Sequence, residues 1–246
     1  MKSDKQIRIL NFVKDNEGCT IPDIEAFTDC SRAIVNTLIK NGYLELVEQK
    51  IERNPLENKN IENTSNLKLT KEQQEAYDKV STCIDKEEYE EFLLYGVTGS
   101  GKTEVYLHLS RFVIEQGKTV LMLVPEIALT PMMVSAFKSR FGKSVAILHS
   151  KLSAGERYDE YRRIIDDEVK IVVGARSAVF APLENIGLII MDEEHDASYK
   201  QESPPRYLTS QVARKRGAYH QCPVVLGSAT PSLESYSRAL KGAYEL

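Results

Sequence analysis

The sequence predicts an α/β fold built on a parallel sheet, with a smaller helical unit before it. From Leu67 onward, short apolar runs of buried-strand type alternate with helix-length segments that carry charged faces. Strands that alternate with helices form a parallel sheet covered on both faces. Residues 54–66 are rich in Asn, Glu and Pro, which predicts a linker between the two units. The predicted strands are Glu91–Tyr95, Val120–Val124, Val145–Leu148, Ile171–Val173, Leu188–Met191 and Val224–Leu226.

Residues 1–53 have the outline of a winged helix-turn-helix. Helical spacing from Ile7 is followed by Pro22 at a first helical position and a short helix over Asp23–Phe27. Asp29 or Ser31 could cap a third helix that ends before Gly42. Tyr43–Gln49 alternates as a strand would. The unit has 8 Lys+Arg against 9 Asp+Glu, so DNA binding and docking within the protein are both open interpretations.

Composition excludes several classes of protein. The chain has 246 residues, 42% of them hydrophobic, which is typical of a globular protein. Its apolar runs are strand-sized and its N-terminus has no apolar leader, so we expect no membrane partner and a cytoplasmic location. The four cysteines form no CxxC pair, which indicates reduced thiols. The chain has 32 Lys+Arg and 36 Asp+Glu, a net charge of −4, so DNA contacts would require a local patch of positive charge.

The strongest motif is a phosphate-binding loop that matches G-x-x-x-x-G-K-[ST] in full. It lies between the predicted strand that ends at Tyr95 and a predicted helix over Glu104–Glu115. Bare backbone lets phosphates approach many N–H donors, and the helix dipole adds to the attraction. Lys102 is expected to contact the β- and γ-phosphates of ATP, and Thr103 to bind Mg²⁺. The predicted nucleotide-binding residues of this loop are Gly96, Thr98, Gly99, Ser100, Gly101, Lys102 and Thr103.

The second motif is an acidic pair at the end of a buried strand. Asp192 and Glu193 follow Leu188–Met191 directly, which places their carboxylates at the carboxyl edge of the sheet. Ligands of open α/β sheets bind at that edge. Asp192 is expected to hold Mg²⁺, and Glu193 to activate the attacking water. The predicted catalytic residues are therefore Lys102, Asp192 and Glu193.

Together these motifs resemble those of the superfamily 2 helicases. Asp192-Glu193-Glu194-His195 is the DEEH form of their acidic box. Six ordered segments between Leu67 and Tyr236 are similar to those of the bacterial replication-restart helicases, also called primosomal protein N′. They read GVTGSGKTEVYL, LVPEIALT, VGARSAVFAPL, DEEHDASYKQ, PPRY and LGSATPSLES. The resemblance implies that residues 67–246 are an ATP-binding domain, the RecA-like first lobe of the motor, preceded by a winged helix.

The resemblance also implies roles for residues outside the two motifs. Gln73 would read adenine. Pro125–Thr130 and Gly174–Ser177 would line the DNA path. His195, Ser228 and Thr230 would couple the nucleotide site to DNA and to the second lobe. An aromatic-rich loop would contact single-stranded DNA. The implied DNA-binding residues are Arg176, Tyr199, Lys200, Arg206 and Tyr207.

The function that the resemblance implies is an ATP- and Mg²⁺-dependent 3′-to-5′ DNA helicase of replication restart and primosome assembly. Its partners would be single-stranded or forked DNA, the primosome and single-strand-binding protein. We expect the chain to be incomplete at both ends and inactive by itself because the second lobe is missing, and we expect zinc to bind only beyond residue 246. The alternatives are another superfamily 2 translocase of repair or fork reversal, and a module that binds DNA or nucleotide without hydrolysis.

Overall fold

The computed structural model describes residues 4–16, 19, 21–28, 30–46, 67–126 and 131–246. The chain divides into two compact units, Met1–Glu52 and Arg53–Leu246. The proposed linker, residues 54–66, lies outside the described residues. Within the described ranges no helix is both long and apolar enough to cross a bilayer.

The first unit contains three helices, α1 (Asp4–Asp15), α2 (Ile21–Thr28) and α3 (Arg32–Lys40). Their apolar faces meet in a small core of Ile9, Ile24, Cys30, Val35 and Leu38. The predicted strand over Tyr43–Gln49 is not seen at residues 43–46, where 43 and 44 form a bend and 45 and 46 have no regular structure, and 47–49 lie outside the described residues. The structure therefore shows the three helices, and the wing remains a prediction.

The second unit is built on a parallel sheet, and this confirms the predicted fold class. Six strands in the described part form the sheet in the order β1-β8-β5-β2-β4-β3, every neighbouring pair parallel. They are β1 (Glu91–Tyr95), β2 (Thr119–Leu123), β3 (Val145–Leu148), β4 (Ile171–Gly174), β5 (Ile186–Met191) and β8 (Val224–Ser228). Each matches a predicted run to within two residues. β2 to β5 are buried along their whole length, as parallel strands covered on both faces must be.

Helices cover both faces of this sheet. One apolar layer includes Val80, Val105 and Phe137, which belong to α4 (Lys71–Asp85), α5 (Lys102–Glu115) and α6 (Pro131–Phe141). The opposite layer includes residues of α7 (Ala154–Ile165), α8 (Thr209–His220) and α9 (Leu233–Leu240). The sheet is thus held between two dry cores, and its carboxyl edge carries the loops that bear the motifs.

Two smaller features complete the second unit. β6 (Lys200–Gln201) and β7 (Tyr207–Leu208) pair antiparallel and form a short hairpin before α8. At the outer edge of the sheet, Leu93 N–H donates to Glu245 O (2.8 Å) and Glu245 N–H donates to Glu91 O (2.9 Å). The end of the described chain therefore covers an otherwise open strand edge.

Candidate active site

The phosphate-binding loop joins β1 to α5 as the sequence predicts. Gly101 lies at the N-cap of α5 with φ 81°, a left-handed conformation that favours glycine. Lys102 begins the helix, and its ammonium lies across the loop, donating to Gly96 O (2.7 Å) and Val97 O (3.4 Å). A Cβ on Gly96 would lie 2.8 Å from the Ser100 hydroxyl. Any other residue at the first position of the loop would therefore require the Ser100 side chain to move.

Gln73 connects the start of α4 to this loop. Its Oε1 accepts from Thr70 N–H (2.9 Å), which completes a capping box, and its Nε2 donates to Ser100 O (2.8 Å). A primary amide has two N–H groups and two acceptor lone pairs. One of each remains after these two bonds, so the arrangement is compatible with a base edge at Gln73.

Asp192 follows β5, which lies between β8 and β2 in the middle of the sheet. It is 8% exposed, and its Oδ1 accepts a hydrogen bond from the Tyr106 hydroxyl (3.0 Å). The Tyr199 hydroxyl donates to its main-chain oxygen (2.7 Å). Burial raises the pKa of the Asp192 carboxyl, against the opposing effects of the Tyr106 hydrogen bond and the Lys102 charge. A cation at this carboxylate would offset that burial.

Glu193 occupies a left-handed backbone conformation (φ 45°), which is uncommon for a non-glycine residue and is often found at functional sites. The chain turns at this residue, and the next N–H, that of Glu194, donates to Gly227 O in β8 (3.0 Å). The Glu193 carboxylate is about one-third exposed and lies 3.6 Å from His195 Nδ1. It is thus the accessible acid of the pair, whereas Asp192 is the buried one.

His195 joins the acidic box to the segment after β8. Its Nδ1 lies 2.9 Å from Ser228 Oγ, and its Nε2 lies 3.3 Å from Thr230 Oγ1. Ser228 Oγ also accepts from Thr230 N–H (3.0 Å), and Ser228 O accepts from Gly96 N–H (3.2 Å). One hydrogen-bonded chain therefore runs from the acidic box through Ser228 to the phosphate loop.

Glu194 is a residue whose contacts the sequence reasoning missed. Its Oε1 accepts from Ser232 N–H (2.7 Å), and its Oε2 accepts from Ser235 Oγ (3.0 Å). The carboxylate therefore lies at the N-terminus of α9, where the helix dipole favours a negative charge. No local pattern signals this contact, because Glu194 and the helix are about forty residues apart in the chain.

Tyr106 is the other missed residue, and here a signal existed. It lies four residues after Lys102 on the same helix, and the i, i+4 spacing places both residues on one face. Since the phosphate loop already sets that face toward the sheet, a side chain one turn on could have been expected near the acidic box.

The structure divides the predicted DNA-binding residues. Lys200 and Arg206 are exposed, and Tyr207 packs edge-to-face against the exposed Phe180 with ring centroids 5.0 Å apart. Arg176 donates to Ser198 O (3.2 Å) and Lys200 O (2.7 Å), so its guanidinium holds the loop in place. The same loop is anchored by Thr209 Oγ1, which donates to Tyr199 O (2.9 Å).

Tyr199 requires a correction. The sequence reasoning offered its ring as a stacking surface for a base, but the ring is 4% exposed and its hydroxyl is bonded to Asp192 O. An aromatic ring packed on both faces cannot receive a base. In the other predicted DNA segment, residues 127–130 of Pro125–Thr130 lie outside the described residues.

The residues present fit a nucleotide phosphate with a hard divalent cation. Backbone amides of the loop, the Lys102 ammonium and the start of α5 suit phosphate oxygens. The Thr103 hydroxyl and the buried Asp192 carboxylate are oxygen donors of the type that Mg²⁺ accepts, and Mg²⁺ in such sites takes few protein ligands. The described residues contain no group of three or more His, Cys, Asp or Glu that could hold a metal ion.

Comparison with known proteins gives the family. The profile of the family described as "Type III restriction enzyme, res subunit" (ResIII) matches residues 66–233. The chain belongs to this family. The match covers most of the unit that carries the phosphate loop and the acidic box, and this helicase fold implies nucleotide binding.

Among ResIII relatives, the resemblance to replication-restart proteins is confirmed. The chain is 54% identical to replication restart protein PriA of Bacillus subtilis over 98% of its length, and 42% identical to that of Synechocystis over 95%. It spans 30% and 28% of the lengths of those two relatives. A structure of RecG bound to a three-way DNA junction shares the fold over 72% of this chain and 23% of that one, with a TM-score of 0.53 and 24% identity.

Proposed function

We propose that the protein is an ATP-dependent 3′-to-5′ DNA helicase of replication restart, and that residues 67–246 form its nucleotide-binding motor lobe. The observation that carries this is the convergence of three motifs at one sheet edge. Lys102 and Asp192 come from the phosphate loop and the acidic box, and Ser228 joins both through His195 and Gly96. The identity to replication restart proteins supports the process in which the helicase acts.

Each nucleotide-site residue has a role that its environment supports. The Lys102 ammonium would leave the loop carbonyls and bind the β- and γ-phosphates, so it holds ATP and stabilises charge in the transition state. Mg²⁺, held by Thr103 and Asp192, would neutralise phosphate charge and orient the γ-phosphate. Glu193, the accessible acid, would orient the attacking water and accept its proton. Gln73 would contact adenine with its remaining donor and acceptor.

The hydrogen-bonded chain of His195, Ser228 and Thr230 would report the nucleotide state to the DNA side. A change at Glu193 is passed to His195, 3.6 Å away, and from there to the segment that leads into α9. On the DNA side, Lys200 and Arg206 offer cations, and Tyr207 offers an aromatic edge beside Phe180. Primosome proteins, single-strand-binding protein and a cytoplasmic site of action belong to the same proposal.

The proposal is tested by measuring ATP hydrolysis with and without forked DNA, and unwinding of forks with either tail polarity. Both the 246-residue chain and the product of its complete reading frame are assayed. We expect DNA-stimulated hydrolysis and 3′-to-5′ unwinding by the latter, and nucleotide binding by both. Glu193→Gln should retain ATP binding and lose hydrolysis about 10²-fold or more. Nucleotide binding without hydrolysis in any form would favour the binding-module alternative and overturn the proposal.

A further inference from the structure

The Asp192 carboxylate is approached by a phenol that lies outside the phosphate loop and the acidic box, and to which no role has been assigned above. Tyr106 lies on α5, one turn beyond Lys102, and its side chain is completely buried. Its hydroxyl lies 3.0 Å from Asp192 Oδ1. An ionised carboxylate can only accept hydrogen bonds, so the phenol is the donor. The helix that carries Lys102 and Thr103 is therefore bonded directly to the acid on β5.

The sheet leaves room for this bond at one position. Gly227 lies in β8, which pairs with β5. A Cβ built on Gly227 would overlap the Tyr106 hydroxyl and would lie 3.1 Å from Asp192 Oδ1. Only glycine has no side-chain atom there. Three elements, α5, β5 and β8, are thus shaped around one phenol–carboxylate contact.

The contact has a mechanical consequence. The carboxylate of an Asp at the end of a strand can rotate about two side-chain torsions. A ligand that requires one orientation binds more weakly when the carboxylate also adopts the others. A second buried phenol, that of Tyr199, donates to the main-chain oxygen of the same residue (2.7 Å). Tyr199 therefore restrains the backbone of Asp192, whereas Tyr106 restrains its carboxylate. Orientation of a metal-binding carboxylate by an outer hydrogen bond typically changes metal affinity 10–100-fold.

We propose that Tyr106 is a positioning residue that orients the Asp192 carboxylate toward Lys102 and Thr103, and so sets how much Mg²⁺ strengthens nucleotide binding. This inference rests on the proposed function, since it takes Asp192 as the Mg²⁺ carboxylate. It assigns Gly227 the complementary role of admitting the phenol. Neither residue needs to touch the nucleotide.

The test compares Tyr106→Phe with Tyr89→Phe in the 246-residue chain. Both substitutions remove a phenol hydrogen bond to a carboxylate, because the Tyr89 hydroxyl donates to Glu91 Oε1 (2.6 Å) at the far end of β1. Binding of mant-AMP-PNP, a fluorescent and slowly hydrolysed ATP analogue, is titrated in MgCl₂ and in EDTA. If Tyr106 positions the carboxylate that binds Mg²⁺, its loss weakens the affinity measured in MgCl₂ and not the affinity measured in EDTA. A general structural role would weaken both.

We expect Tyr106→Phe to reduce the Mg²⁺-dependent gain in affinity about tenfold or more, with affinity in EDTA changed less than about twofold. Tyr89→Phe should leave both affinities unchanged. The inference is overturned if Tyr106→Phe keeps the full Mg²⁺ gain, or if its two affinities fall by the same factor. Failure of the unsubstituted chain to bind the analogue, or binding unaffected by Lys102→Ala, would instead overturn the proposed function.

A second measurement tests the glycine independently of nucleotide. Gly227→Ala is made alone and together with Tyr106→Phe, and the melting temperature of each variant is recorded. We expect the alanine to lower the melting temperature less when the phenol oxygen is absent, because the overlap is then relieved. Equal losses in the two backgrounds would show that Gly227 does not serve the phenol.

Discussion

At the scale of single residues, the phosphate loop holds one positive charge, that of Lys102, among backbone carbonyl and N–H groups. Lys102 is the one charged residue in Gly96–Thr103, and its ammonium lies against loop carbonyls that cannot supply a counter-charge. Phosphate oxygens would be far stronger partners for it than neutral carbonyls. We therefore expect the ammonium to exchange these carbonyls for the phosphates of a bound nucleotide.

We predict that Lys102→Ala lowers ATP hydrolysis by about 10²–10³-fold, because a preorganised cation is removed from the developing charge. Nucleotide binding, measured by titration with mant-AMP-PNP, should weaken as well. Lys170→Ala is the matched control, since Lys170 forms a surface pair with Asp167 (2.7 Å) just before β4. Comparable losses in the two variants would contradict the assignment.

A second prediction at this scale concerns His220, in the last turn of α8. Burial, and then the nearby Arg216 charge, lower the pKa of its imidazole in the folded protein. An imidazole whose pKa is lower in the folded than in the unfolded state stabilises the fold while it is neutral. That stabilisation is lost as the pH falls below the unfolded-state pKa of about 6.5. Burial lowers the pKa of His149 in the same direction.

We therefore expect the free energy of unfolding, measured with urea, to fall between about pH 7.5 and 5.5. His220→Gln should reduce the slope of that fall, because glutamine does not titrate. The matched comparison is His108→Gln, whose imidazole Nε2 lies 3.2 Å from the Glu104 carboxylate and 2.9 Å from Leu67 O. A slope unchanged by His220→Gln would show that this imidazole does not contribute.

At the scale of elements, α9 is attached to the acidic box through its N-terminus. Ser232 caps the helix by accepting from Ser235 N–H (3.2 Å), and the Glu194 carboxylate accepts from Ser232 N–H and Ser235 Oγ. The segment that follows β5 and the helix that follows Thr230 are therefore joined directly by hydrogen bonds. The proposed coupling of the nucleotide site to the DNA side would use such an attachment.

We predict that Glu194→Ala lowers the free energy of unfolding by about 1–3 kcal/mol, because it removes the charged acceptor of the Ser232 N–H and the Ser235 hydroxyl. Glu234→Ala, in the first turn of the same helix, removes a mostly exposed acid that is paired with Arg238. That control should cost about 0.5 kcal/mol or less. Equal losses in urea unfolding would argue against the cap.

At the scale of the whole molecule, the two units bury separate cores. The core of Met1–Glu52 consists of residues from α1 to α3. The two apolar layers of the second unit are composed of residues between Leu69 and Tyr244. Each unit thus has what it needs to fold cooperatively by itself.

We predict two transitions in calorimetric unfolding, and that an ATP analogue with Mg²⁺ raises only the transition of the second unit. Every predicted nucleotide-binding residue lies there, and a ligand at 100 times its Kd stabilises the state that binds it by about 2.7 kcal/mol. The Lys102→Ala variant is the control, since its transitions should not respond to the analogue. One transition that shifts as a whole would show that the units unfold together.

Much of the fold was accessible from sequence because its signals are local. Apolar runs such as Val145–Leu148 are bounded by polar residues, and the period of the pattern identifies a buried strand without knowledge of its neighbours. The phosphate loop is equally local, since its glycines and Lys102 all lie within the short segment Gly96–Lys102. The contact of Glu194 with α9 and the burial of Tyr199 were not accessible, because each depends on residues brought together from distant parts of the chain.

The sequence by itself determined the α/β class, the phosphate loop, the acidic pair and the family, since short contiguous motifs specify them. Only the tertiary structure decided which of the two acids is buried, that Tyr106 and Gly227 meet at Asp192, and that Arg176 donates to the backbone of the loop after the acidic box. Strand order and side-chain packing set these contacts, and a parallel sheet places side by side strands that are far apart in the chain. Motifs name the chemical groups, whereas the order of the strands decides which of those groups touch.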